Sequence, residues 1–360
     1  MSYYLKMNNL RNQSIEDLRF ICACMVVLIH AIALPSHTTL SLENGIYDTI
    51  YIIISEGICV VAVPIFFLIS GYCFFKTMGN WRWDVWMHKM KRRLRTLLLP
   101  YVVWNLISML FTSCLMYMGY MGGGDFNALD WFNEKGGILA FWDCGNGGRP
   151  INYPLWFIRD LIVLDLFTPL IFWLIKHTQF ISVLALFLLY ISRVWIDKPG
   201  LCAEAFLFFI LGCYLGINKY DFTGFFKKKW PYSGIVALPL LITMCFFYDN
   251  ELIYGYTRRC FTLSGVFFII GFVAYLRSLR VLIINQLLVD SSFLIYVAHA
   301  TIVLPLFEWT LYRILPANTD FAMVAKYLVA SIATILVIIL CYSLMAKYSP
   351  KLLAFLVGKK

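Results

Sequence analysis

The chain has 360 residues, of which 61% are hydrophobic and 14% are charged, and its mean hydropathy is +0.76. A soluble domain carries charge on about a quarter of its residues. The composition therefore excludes a soluble globular protein and indicates a helical membrane protein. The formal net charge of +10 would by itself suggest a nucleic-acid partner, but the positions of the charges argue against one.

Ten apolar runs that approach or exceed the length of a membrane span recur along the chain, since a span needs about 20 residues. We therefore predict an all-α, polytopic membrane bundle of about ten transmembrane helices, in a single integral membrane domain over residues 1–360. The predicted spans are 18–35, 48–75, 96–118, 155–175, 179–195, 201–217, 232–248, 257–276, 286–307 and 321–346.

The basic residues predict the orientation of these spans. If the N-terminus is cytoplasmic, most lysines and arginines fall on the cytoplasmic side, as the positive-inside rule requires, and the C-terminus is cytoplasmic too. The richest inner loop is 76–95, whereas the longest outer loop, 119–154, is rich in glycine and aromatic residues. That outer loop is either a binding loop or a disordered connector. The positive charge is thus a topology signal, and no nucleic-acid partner is expected.

The first span, "DLRFICACMVVLIHA", begins with an arginine and ends near a histidine. Arg19 and His30 are eleven positions apart, which places them on one face of a helix with a rise of about 16 Å. Ionisable groups within spans are costly and usually functional. A cation low on this face and a titratable base above it suggest the wall of a passage through the membrane. The alternatives are a topology anchor for Arg19 and an interhelical hydrogen bond for His30.

The inner loop ends in "HKMKRRLRTLLLPY", and its cations cluster where a span enters the membrane. Lys91, Arg92, Arg93 and Arg95 could hold phosphate groups on the cytoplasmic side. Positive-inside topology and anionic lipid headgroups explain the same cluster equally well.

Three further candidates come from the outer halves of spans. Glu56 lies at a depth comparable with that of His30, which suggests that it orients the imidazole. In "YPLWFIRDLIVLDL", Trp156 suits the outer interface and is predicted to contact the acceptor. Arg159 is predicted either to stabilise negative charge near the reaction centre or to form a structural ion pair with Asp160.

Other polar and small residues within the spans complete the candidates. In "SSFLIYVAHA", Tyr296 and His299 are neighbours on one helix face and are predicted to contact the acceptor. Ser70 and Gly71 in "VPIFFLISGY" predict close helix packing. Glu204 is an intramembrane acid without a visible partner.

The eleven cysteines lie mostly in apolar runs and show no metal-ligand spacing. We read them as small buried residues, and no metal site is expected. A disulfide between Cys144 and Cys202 is conceivable from their predicted positions in or beside outer loops.

In this order, the arginine–ten residues–histidine pattern, "VPIFFLISGY" with its basic loop and "LLLPY", "PLWFIRDL" and "SFLIYVAH" resemble the membrane acyltransferase-3 family. The resemblance covers nearly the whole chain. It implies O-acylation of a cell-envelope sugar with acyl-CoA, most often acetyl-CoA, as donor. By resemblance His30 has the catalytic role, and Arg19 and the Arg92–Arg95 cluster are donor-side positions. The leucines and threonine between Arg95 and Pro100 depart from the usual double-arginine motif and leave the roles of the individual arginines open.

Two functions from different classes follow from these features. The first is an O-acetyltransferase of the bacterial inner membrane, with membrane lipids, acyl-CoA and an envelope polysaccharide or lipid-linked sugar as partners. The second is a transporter or flippase for a glycan or small solute, in which Arg19, Glu56, His30 and His299 line a translocation path. Direct transfer and an acyl-histidine intermediate both stay open.

Overall fold

The structure, a computed structural model, describes residues 2–33, 40–118, 128–145, 147–315 and 319–358. These ranges are helical apart from loops and an isolated β-bridge between Lys198 and Leu201. The helices are α1 (Ser2–His30), α2 (Ile46–Phe75), α3 (Trp83–Tyr117), α4 (Ala128–Glu134), α5 (Trp156–Leu166), α6 (Thr168–Thr178), α7 (Phe180–Ser192), α8 (Ala203–Ile217), α9 (Phe222–Phe246), α10 (Glu251–Ser278), α11 (Gln286–Ile314), α12 (Asp320–Tyr348) and α13 (Pro350–Leu356).

The described residues include six helices that are long and apolar enough to cross a membrane, and a seventh span if α6 and α7 count as one broken helix. The protein is therefore an integral, multi-pass membrane protein, and the all-α prediction is confirmed. The predicted count of ten spans and the predicted orientation are not confirmed. α1 is not counted among these spans, because the charged residues Glu16, Asp17 and Arg19 interrupt its apolar stretch.

The predicted spans 155–175 and 179–195 differ most from the structure. The chain here forms three short helices, and an α-helix of eleven residues is only about 16 Å long. Pro169 stands in the first turn of α6, where its ring and missing N–H are tolerated but where it cannot continue α5. At Gln179 the backbone takes a positive φ of 51°, and α7 leaves α6 at an angle of 111°. The hydropathy pattern did not detect the break between α5 and α6, whereas the break at Gln179 falls at the predicted boundary between the two spans.

Two helix pairs dominate the packing, α9 with α10 and α2 with α8. A Cβ atom added to Gly71 would lie 2.1 Å from the Phe209 carbonyl oxygen, and one added to Gly212 would lie 2.1 Å from that of Leu68. Only glycine permits this approach of two helix backbones. The close packing predicted at Gly71 is thus confirmed. α1 lies inside the bundle, against α2, α10 and α11.

Candidate active site between two cavities

His30 is the last residue of α1, and the polar backbone groups around it are held by side chains from other helices. The carbonyl oxygens of Leu28 and Ile29 accept hydrogen bonds from Ser55 Oγ (2.7 Å) and Tyr51 Oη (3.2 Å). Beyond the helix end, the Ile32 amide donates to Glu308 Oε1 at 2.7 Å. Because the orphan groups of a helix terminus need partners, these contacts fix the position at which α1 presents His30.

The His30 ring packs between two other rings. Its centroid lies 4.8 Å from that of Tyr153, edge to face, and 5.4 Å from that of His299, in a stacked arrangement. Among the described residues, neither ring nitrogen of His30 has a hydrogen-bond partner. The imidazole is therefore held by packing, and its nitrogens are available to a substrate.

Tyr153 is held in place by the residues on either side of it. The side-chain amide of fully buried Asn152 donates to the Val297 carbonyl oxygen, and its backbone N–H donates to Asn105 Oδ1, each at 3.0 Å. The Tyr296 hydroxyl donates to the Pro154 carbonyl oxygen. Removal from water raises the pKa of Tyr153 above its ordinary range, so the phenol is neutral.

His299 is fully buried, and its hydrogen bonds define its tautomer. Nδ1 lies 2.8 Å from the Tyr296 carbonyl oxygen and 3.0 Å from that of Ile295, and a carbonyl oxygen can only accept. Nδ1 therefore carries the proton and Nε2 keeps its lone pair. Nε2 is buried and has no partner among the described residues.

Three long helices contain a π-helical turn, and each turn holds one of the predicted site residues. Glu56 lies in the turn Ile52–Gly57 of α2, Arg95 in Leu94–Leu98 of α3, and His299 opens His299–Val303 in α11. Such turns are rare and occur frequently at functional sites. The backbone conformation thus indicates these parts of the bundle as candidate functional sites, independently of which side chains they carry.

A cavity of about 430 Å³, here called the Arg19 cavity, lies on the side predicted to be cytoplasmic. Aromatic and aliphatic side chains make up about half of its lining, and the polar lining residues are Glu16, Arg19, Ser70, Arg93, Gln286, Asp290 and Ser292. Tyr296 also lines it and, through Pro154, connects its wall to the His30 cluster. Arg19, at one end of the predicted common face, lines this cavity, and His30, at the other end, belongs to the histidine pair; both lie on the uninterrupted helix α1.

The predicted basic cluster divides into two groups. Arg93 lines the Arg19 cavity, and its Nε lies 3.5 Å from Oδ2 of buried Asp165. Lys91, Arg92 and Arg95 are exposed and do not line the cavity. The structure therefore brings only Arg93 of this cluster together with Arg19.

A second cavity of about 600 Å³, here called the Arg258 cavity, lies at the other end of the site. Its lining is mostly polar or charged and includes Arg149, Trp156, Arg159, Glu204 and Arg258. Arg149 lies within electrostatic range of both His30 and Tyr153. The His30 cluster is thus flanked by the walls of two cavities, each of a size usual for small-molecule sites.

The Arg159 side chain is buried, and the protein itself engages its donors. It is 3% exposed and donates from Nε and Nη2 to Asp160 Oδ1, at 2.9 and 2.8 Å. Its Nη1 donates to the carbonyl oxygens of Trp142 and Gly148 in the outer loop. The structure favours the ion-pair interpretation, because these donors are already engaged. It also shows that this part of the loop 119–154 is ordered by Arg159; residues 119–127 and 146 lie outside the described residues.

Glu56 is not brought to His30. It accepts a hydrogen bond from Tyr254 Oη at 3.3 Å and lies near Arg258. Glu204, for which the sequence offered no partner, accepts from Tyr190 Oη at 2.8 Å and also lies near Arg258. Depth in the membrane was the basis for pairing Glu56 with His30, and depth does not fix the side of the helix.

Several contributors to the site were missed in the sequence: Asn105, Asn152, Tyr153, Glu308 and Arg258. A signal existed for Arg258, which is an ionisable residue inside the predicted span 257–276. Cys144 and Cys202 are free thiols, so the disulfide considered above is not formed. No cluster of metal-ligating side chains occurs among the residues that the structure describes.

The sequence also matches known proteins. The sequence profile of an acyltransferase-3 family, described as "Acyltransferase domain", matches residues 12–343. The chain is 23% identical over 363 residues to the succinoglycan biosynthesis protein ExoH of Rhizobium meliloti (strain 1021), an alignment that covers 96% of this chain and 92% of ExoH. No solved structure matches the chain at a significant level.

Proposed function

Because the chain belongs to the acyltransferase-3 family, we propose that this membrane acyltransferase moves an acetyl group from acetyl-CoA to a hydroxyl of an envelope glycan or lipid-linked sugar. The proposed location is the bacterial inner membrane, with the Arg19 cavity facing the cytoplasm. The relative ExoH, named for succinoglycan biosynthesis, supports a glycan acceptor.

The observation that carries this proposal is the position of His30. It lies beside Tyr153, whose neighbours contact Tyr296 of the Arg19 cavity, and within range of Arg149 of the Arg258 cavity. A donor from one side and an acceptor from the other would meet at a ring with both nitrogens unpartnered. A general base must lie within hydrogen-bond reach of the proton that it removes.

In the proposed reaction, neutral His30 removes the proton of the acceptor hydroxyl as its oxygen attacks the thioester carbonyl carbon. The C–O bond forms, the C–S bond breaks, and the departing CoA sulfur takes a proton from the imidazolium. A developing oxyanion needs nearby donors, and the neutral Tyr153 hydroxyl is the candidate. In the alternative sequence, His30 attacks first and carries the acyl group as an acyl-histidine.

On the donor side, we assign Arg19 and Arg93 to the phosphates of CoA. Arginine matches phosphate geometry with paired donors, and Arg19 makes no ion pair within the described part of the chain. The apolar remainder of the Arg19 cavity suits the pantetheine arm. Lys91, Arg92 and Arg95 are assigned to long-range attraction of the anionic donor, since they are exposed outside the cavity.

On the acceptor side, we assign Trp156 to a sugar face and His299 to a substrate hydroxyl, through its unpartnered Nε2. Tyr296 forms the wall between donor and reaction centre. Glu56 and Arg159 act indirectly in this assignment. Glu56 contacts Tyr254 and lies near Arg258, and Arg159 holds the outer loop through the carbonyl oxygens of Trp142 and Gly148. Neither is expected to touch the reacting atoms.

The test uses the purified protein in nanodiscs with acetyl-CoA labelled in the acetyl group and a lipid-linked glycan fraction from cells that lack the protein. We expect label in the glycan, measured by mass spectrometry, together with free CoA. His30→Gln should abolish both. Movement of glycan across the bilayer without CoA release would support the transporter instead, and unchanged acetylation by His30→Gln would remove the base assignment.

A further inference from the structure

The Arg258 cavity contains a guanidinium group that the protein leaves without a partner. Arg258 lies on α10 and is only partly exposed, and its Nε is buried with no hydrogen-bond partner. Glu204 and Glu56 are near, but neither forms an ion pair with it within 4.0 Å in the described structure. An unpaired cation inside a membrane helix is costly and is retained for function by default.

Each carboxylate of the same cavity accepts at least one hydrogen bond from the protein, although Oδ2 of Asp160 is buried without one. Asp143 accepts from the Gly145 amide at 2.9 Å, Asp197 from the Ala203 amide at 2.8 Å, and Glu204 from the Tyr190 hydroxyl at 2.8 Å. Asp160 is paired with Arg159.

The cations of the cavity are engaged to a smaller extent. Arg259 donates to the Tyr190 carbonyl oxygen at 2.5 Å. Among the described residues, the side chains of Arg149, Lys198 and Arg258 make no hydrogen bond or ion pair. The wall carries five cations and four acids, so its net charge is positive, and for three of the cations the described structure offers no contact that would hold them.

We infer that the Arg258 cavity binds an anionic group of the acceptor, so that the substrate class is an acidic or phosphate-bearing glycan and not a neutral one. This inference rests on the proposed function, whose acceptor it specifies. A carboxylate or phosphate fits the planar donors of a guanidinium group. Arg149, within range of both the cavity and His30, places such an anion close to the reaction centre.

The anion has two possible sources with the same chemistry, a carboxylate on a sugar and the phosphate of a lipid carrier. Binding to the protein in nanodiscs distinguishes them with two pairs of probes. The first pair is tetragalacturonate and its methyl ester; the second is farnesyl diphosphate and farnesol. We expect one anionic probe to bind about tenfold more tightly than its neutral counterpart, as a charge-assisted contact implies.

The same measurement on Arg258→Gln should remove that preference, and Arg258→Lys should keep part of it. Arg193→Gln is the matched control, because this arginine faces Glu251 outside the cavity and its loss should leave the preference unchanged. Should Arg258→Gln fail to fold, the preference of the wild type for the anionic probes and its reduction in Arg258→Lys still test the inference.

Equal binding of charged and neutral probes by the wild type, or an unchanged preference in Arg258→Gln, would overturn the inference. Acyl transfer does not enter this measurement. A protein that discriminates the probes but releases no CoA would therefore contradict only the proposed function.

Discussion

The two cavities differ in how their charges are used. In the Arg19 cavity, two arginines and two acids, Glu16 and Asp290, stand among aromatic and aliphatic side chains, and Arg93 is already near Asp165. In the Arg258 cavity, charged residues make up most of the wall, and each acid accepts a hydrogen bond from the protein, whereas Arg149, Lys198 and Arg258 make none in the described structure. The first suits a long donor with phosphates at one end, and the second suits a polar, anionic acceptor. The His30 cluster shares one of its supports with the first cavity, because Tyr296 lines that cavity and holds Pro154 beside Tyr153.

The largest expected effect on activity comes from a change at His30, where the donor of the first cavity and the acceptor of the second are proposed to meet. His30→Gln should lower the rate of acyl transfer about 10²–10⁴-fold, the usual contribution of a general base. The measurement is CoA release under saturating donor and acceptor. Donor binding, followed by equilibrium titration with a CoA analogue, should not change. A variant that retains wild-type turnover would show that His30 is not the base.

The next effect concerns the wall of the Arg258 cavity. Asp160→Ala would leave Arg159 as an unpaired buried charge, which costs about 3–5 kcal/mol in the free energy of unfolding. Thermal unfolding in detergent should show a clear fall in the transition temperature. Asp84→Ala, which breaks an exposed pair with Arg82, is the control and should unfold like the wild type. Equal stability of both variants would contradict the structural role of Arg159.

Packing beside the Arg19 cavity gives a smaller effect. Gly71→Ala introduces a methyl group where the Phe209 carbonyl oxygen leaves no space, and overpacking costs about 1–3 kcal/mol. Since Ser70 lines the cavity, separation of α2 from α8 should also weaken donor binding. Gly79→Ala is the control, because nothing lies within 4 Å of its new Cβ. If Gly71→Ala matches Gly79→Ala in thermal unfolding, the close approach of the two helices is wrong.

The sequence predicted those features that depend on composition and on periodicity within one helix. The helical membrane class, the close packing at Gly71 and one helix that carries both Arg19 and His30 are of this kind. The break at Phe167 was missed because it depends on a backbone turn within apolar sequence, whereas the break at Gln179 falls at the predicted boundary between two spans. The partner of Glu56 was missed because a π-helical turn alters which way the residues around it point. Contacts such as those of Asn152 with Asn105 and Val297 join distant parts of the chain, and one sequence does not reveal them.

The smallest expected effect separates the Arg19 cavity from the surface charge around it. Arg19 is exposed, so its contact with a CoA phosphate should be worth no more than about 1 kcal/mol, or about a factor of five in affinity. Arg19→Gln should therefore raise the KM for acyl-CoA about fivefold and leave kcat unchanged, and the difference should shrink at high salt. Lys228→Gln removes an exposed cation of α9 that does not line the cavity and should leave KM unaltered. If both variants raised KM equally, attraction by the whole basic face, and not a contact in the Arg19 cavity, would account for donor binding.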